Sequence, residues 1–88
     1  MTRTQFEAWL SLAWPHGHRI RKTVPCVSTP SVFVDMIVGN SSAALASATL
    51  TQYTWDTLAR KTHDALNRLW ELNPGLWPDD ATIPMPPF

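Results

Sequence analysis

The chain has 88 residues and a single cysteine, Cys26, so no disulfide can close within it and the fold does not rest on a disulfide framework. One lone thiol also fits a reducing compartment, and the expected location is the cytoplasm. Glycine is scarce, and Gly17, Gly39 and Gly75 each stand alone. Loops that cradle phosphates need clustered glycines, so the P-loop and dinucleotide-binding patterns are excluded. Net charge is lacking as well, at zero. A neutral chain has no general attraction for nucleic acid. The N-terminus lacks the basic start, apolar core and small-residue cleavage site of a secretory signal. The most apolar region, residues 32–50, carries Asp35 and is broken by Gly39, Asn40, Ser41, Ser42, Ser47 and Thr49. A spanning helix needs about 20 mostly apolar residues, so this region reads as a buried segment and no membrane is expected.

Aromatic mass is what the chain has in excess. Five tryptophans, Trp9, Trp14, Trp55, Trp70 and Trp77, are many for this length. Each indole buries about 150–250 Å², so a few of them supply much of a small core. Tryptophan is also a favoured anchor for protein partners. The charges are segregated. Residues 1–22 hold Arg3, Arg19, Arg21 and Lys22 against Glu7, residues 23–55 hold only Asp35, and the last third is acidic on balance.

Periodicity organises the chain. Thr4 and Glu7 have capping-box spacing, and Phe6, Trp9, Leu10, Ala13 and Trp14 recur at helical intervals, which predicts a helix over 5–14 that Pro15 stops. Residues 15–18 are a loop, and 19–24 are a short strand or an extended connector. Over 31–38, Val32, Val34, Ile37 and Val38 favour a strand. Thr29-Pro30 as a helix start and Gly39-Asn40 as a helix stop favour a short buried helix, and that reading is preferred. Ser41 or Ser42 caps a third helix through the alanines of 43–48. The strongest pattern runs from 52 to 73, where Trp55, Leu58, Thr62, Ala65, Leu69 and Leu72 share one face and Asn73-Pro74-Gly75 ends the run. Pro78, Pro84, Pro86 and Pro87 forbid a regular helix beyond 75. The expected fold is therefore mainly α: one domain over 1–88, a bundle of three to four helices with an extended proline-rich strap over 75–88. The alternative is α+β, with short strands near 19–24 and 31–38.

Catalytic patterns are weak. His16, His18, Cys26 and His63 are the right types and number for tetrahedral zinc, but they lack the tight paired spacing of structural zinc sites. The same residues form no cysteine–histidine signature. Asp79-Asp80 follows Trp77-Pro78 and reads as a turn. No enzyme activity, metal or cofactor is expected. Five tryptophans, three methionines and an apolar tail point instead to a protein-interaction module that docks on a larger protein or assembly, as an inhibitor or accessory of the phage or mobile-element kind. Its expected contact residues are Trp14, Arg19, Arg21 and Lys22 as one face, with Trp77, Met85 and Phe88 in the tail as another. The alternative is a small nucleic-acid-binding protein that uses the basic patch at 16–22. A homodimer sealed by the apolar stripe of 55–72 is a further reading.

Overall fold

A computed structural model describes residues 1–23, 30–78 and 82–87 of the chain. The fold is α+β, with two helices against a three-stranded antiparallel sheet. The chain runs helix α1 (Arg3–Ala13), strands β1 (His18–Lys22), β2 (Ser31–Val38) and β3 (Ser41–Thr49), helix α2 (Thr54–Leu72), a single 3-10 turn (Pro74–Leu76) and an extended strap. The helical bundle is thus overturned. Both middle helices of that reading, over 31–38 and 43–48, are strands.

The reason lies in the hairpin between them. Gly39 has φ +60 while Asn40 does not have a positive φ, and Val38 pairs with Ser41. That is a two-residue turn with glycine at its first central position, the type II′ geometry that matches strand twist. Gly39-Asn40 is therefore a hairpin turn and not a helix stop. Pairing with β2 then overrides the helical preference of the alanines in 43–48, because propensity is a weak prior against a full ladder of hydrogen bonds.

Strand β2 is central, and β1 and β3 are the two edges. Register joins Arg19 to Asp35 and Arg21 to Phe33 on one side, and Val32 to Ala48 and Val34 to Ala46 on the other. A bulge follows. Asp35 pairs with Ala44, so Leu45 is the extra residue of β3. Alternation along β2 sends Val32 and Val34 into the core, fully buried, while Phe33 stays half-buried on the opposite face.

Helix α1 begins two residues earlier than the capping-box spacing of Thr4 and Glu7 implies. The box is built by Thr2 and Gln5: the Gln5 amide donates to Thr2 Oγ1 at 3.1 Å, and the Thr2 amide donates to Gln5 Oε1 at 2.8 Å. Glu7 is thereby released to reach Arg3 at 3.3 Å and His18 at 3.2 Å. Trp14, ahead of Pro15, leaves helical geometry as steric clash with proline requires. Helix α2 packs mainly on β3. It buries Leu58, Ala59, Thr62 and Leu66, while Trp55, Ala65 and Leu69 of the expected stripe are half-buried and Leu72 is exposed.

Three tryptophans, Trp9, Trp14 and Trp77, are buried, and Trp55 and Trp70 are half-buried. Each buried indole N–H donates to a carbonyl: Trp9 to Pro84 at 3.0 Å, Trp14 to Ile37 at 3.2 Å and Trp77 to Ala13 at 2.9 Å. Ala13 ends α1, so Trp77 satisfies one of the carbonyls a helix leaves unpaired. Trp77 also meets Trp14 edge-on at 5.2 Å and Trp70 at 5.1 Å. Trp9 holds the strap down through Pro84, and half-buried Ile83 packs on the core beside it.

Candidate interaction site

Among the described residues no strand pairs with the outer side of β3. Its nine residues carry no charge and no proline, and most are exposed. Backbone direction follows from the ladder. Leu50 donates to the Pro30 carbonyl at 2.9 Å, which turns Ala48 and Ala46 toward β2 and turns the amide and carbonyl of Thr49 and Ser47 outward. Past the bulge, Ser42 and Ala44 face outward in the same way. The Ser47 carbonyl accepts from Lys61 Nζ of α2 at 2.9 Å, as an outward carbonyl can.

A furrow runs between this strand and α2. One end, about 340 Å³, is lined by Leu45, Ala46 and Ser47 with Lys61, Asp64 and Arg68. The other end, about 280 Å³, is lined by Met36, Ala44 and Leu45 with Leu69 and Leu72. Leu45, Ala65 and Arg68 border both, so the two depressions adjoin. The first end carries two cations against one carboxylate. The second is apolar, and Leu72 there is 84% exposed.

The residues of the basic patch are dispersed. Trp14 is 1% exposed and lies in the core, apart from the cations it neighbours in sequence. His16 Nε2 lies 2.7 Å from the Leu76 carbonyl, and His18 Nε2 lies 3.2 Å from Glu7. Lys22 alternates onto the side of the sheet opposite Arg21 and is exposed. Arg19 and Arg21 share the open face of the sheet with Asp35. Arg21 grips that carboxylate with two bonds, Nε to Oδ2 at 2.6 Å and Nη2 to Oδ1 at 3.1 Å, and Arg19 adds one from Nη2 at 3.2 Å. Asp35 is only 3% exposed. The hydrogen bond from Arg21 holds its carboxyl below the usual carboxylate range, against burial, which pushes it up, with Arg19 helping. The Arg21 guanidinium also lies 5.1 Å from the Phe33 ring centroid.

The tail residues separate too. Trp77 is buried, Met85 is 74% exposed, and Phe88 lies outside the described residues. Of the zinc candidates, Cys26 lies outside the described residues, as do Asp79 and Asp80. His63 sits beside Asn67 and 6.4 Å from the Trp9 ring, away from both other histidines' partners. Among the described residues no group of three His, Cys, Asp or Glu side chains could hold a metal ion. Among them, too, no helix is long and apolar enough to cross a membrane.

The β3 edge and its α2 wall escape a reading built on helical periodicity. A usable signal was present all the same: Gly39-Asn40 between a β-branched run and a second uncharged run is a hairpin pattern. No protein-family model matches the chain, and neither a curated protein nor a solved structure does.

Proposed function

We propose that the chain is a non-catalytic protein-interaction module that takes an extended segment of a partner protein along the free edge of β3. The uncharged, outward-facing edge of β3 carries this reading. Strand addition to such an edge supplies main-chain hydrogen bonds, and the neighbouring furrow supplies side-chain selectivity. The matching segment places an acidic side chain toward Lys61 and Arg68 and an apolar one toward Leu69 and Leu72. The module acts as an inhibitor or an assembly accessory. Its proposed place of action is the cytoplasm, which suits a chain with one cysteine.

The test separates the edge from the fold. Proline at position 47 removes an outward amide and no ladder bond, and edge strands tolerate this. A tagged wild-type chain is expected to recover a stoichiometric protein from source cells after nuclease treatment, and Ser47→Pro is expected to lose it while melting near the wild-type temperature. Retention of the partner by a folded Ser47→Pro chain would sink strand addition. Recovery of nucleic acid alone, lost with nuclease, would sink the protein-binding reading.

A further inference from the structure

On the open face of the sheet the cations are unequal. Arg21 is spent: Asp35 takes its Nε and one Nη, and its guanidinium lies near Phe33. Arg19 is not. Only its Nη2 is engaged, with Asp35 at 3.2 Å and Ser42 Oγ at 3.5 Å, and its Nε and Nη1 have no hydrogen-bond partner among the described residues. Two guanidiniums against one carboxylate leave one positive charge, and it resides on Arg19.

That charge borders a depression of about 240 Å³ lined by Arg19, Ile37, Gly39, Asn40, Ser41 and Ser42. Among the described residues, Arg19 is the one charged residue in the lining. Two hydroxyls and an amide side chain come from the β2–β3 turn, and Gly39 leaves open space where another residue would place a Cβ. The Asp35 tether and the Ser42 contact hold Nη2, which leaves Nε and Nη1 on opposite sides of the guanidinium, each able to donate singly. A single charge-assisted donor of this kind suits one oxygen of a phosphate, and the hydroxyls of Ser41 and Ser42 suit the others.

We propose that Arg19, Ser41, Ser42 and the Gly39-Asn40 turn form a phosphate-binding site, for a free phosphate or one borne by a larger molecule. The site is separate from the β3–α2 furrow and does not depend on the strand-addition reading. Carboxylate from Asp35 sits nearby, but Arg21 neutralises it with two bonds.

The full-length chain, titrated at low ionic strength with inorganic phosphate and followed by amide shifts, is expected to saturate in the millimolar range, with the largest shifts at residues 39–42. Arg19→Gln is expected to weaken binding about tenfold, the loss of one charge-assisted interaction. Lys22→Gln removes an equal charge outside the site and is expected to leave binding unchanged. A parallel titration with oligothymidylate identifies the source. Tighter binding that still requires Arg19 assigns the phosphate to a nucleic-acid backbone, and no gain over inorganic phosphate assigns it to a small phosphate. The proposal is overturned by a linear, non-saturating response to both probes. It is equally overturned if Arg19→Gln and Lys22→Gln weaken binding alike, which is the signature of diffuse charge. Arg19 is exposed at the sheet surface, so loss of fold does not confound the variant.

Discussion

The β1 edge presents Arg19, Arg21 and Lys22 within five residues, whereas the β3 edge presents no charge in nine. Both are strands with one unpaired side, and an unpaired side is a template for another chain. Short length and positive charge blunt the first. Among the described residues, the second has the bulge at Leu45 and the bond from Lys61 to Ser47 to discourage pairing. Proteins usually guard both edges, and the plainness of the second is what the strand-addition proposal rests on.

The largest effect that can break this comparison is proline on the wrong phase of β3. Ala46→Pro removes an amide turned toward β2 and is expected to cost about 3 kcal/mol or more, enough to unfold a small domain, as read by chemical denaturation. Ser47→Pro, one residue on, is expected to cost about 1 kcal/mol or less. Equal costs would mean that the outward phase assigned to Ser47 is wrong.

The guarded side depends on Asp35, which gathers Arg19 and Arg21 of β1. Its folded pKa is lowered, so its contribution is present above the ordinary aspartate value, about 3.9, and disappears as pH falls through the lower folded value. Stability of the wild type is expected to fall on acidification through that window. Asp35→Asn is expected to be less stable at neutral pH and to lose that part of the slope, as measured by denaturant melts across the carboxylate range.

A core substitution that touches neither edge gives a reference. Thr62 is buried in α2 and its hydroxyl has no hydrogen-bond partner among the described residues. Thr62→Val replaces an unsatisfied group with a methyl of like shape and is expected to stabilise by about 1 kcal/mol, with both edges unchanged. The smallest stability effect belongs to Lys61→Ala, expected at about 0.5 kcal/mol, since its bond is exposed. That substitution also uncovers the Ser47 carbonyl, so light scattering is expected to show more association with rising concentration than for wild type.

The two helices could be read from residue order because each has one continuous apolar stripe that a local period reveals. Phe6, Trp9, Leu10 and Ala13 bury as that period requires, and so do Leu58, Thr62 and Leu66. Strands β2 and β3 could not be read so directly. An apolar β-branched run fits a buried helix or a central strand equally well, and alanine-rich β3 has no strand preference of its own. The basic patch misled for another reason: proximity along the chain does not keep side chains together in a strand, where successive residues point to opposite faces. Arg21 and Lys22 part on that rule alone. Trp14 parts from them because burial of its ring outweighs any surface role.

Residue order by itself determined where α1 and α2 lie and that no disulfide can form within the chain, since these depend on local period and on composition, but it set two further helices where β2 and β3 run and put the buried Trp14 and Trp77 on contact faces. Only tertiary structure decided that Asp35 neutralises Arg21 and leaves Arg19 in surplus, and that β3 is an edge beside α2. Each of these depends on which strand lies alongside which, and pairing between distant residues is a property of the folded chain.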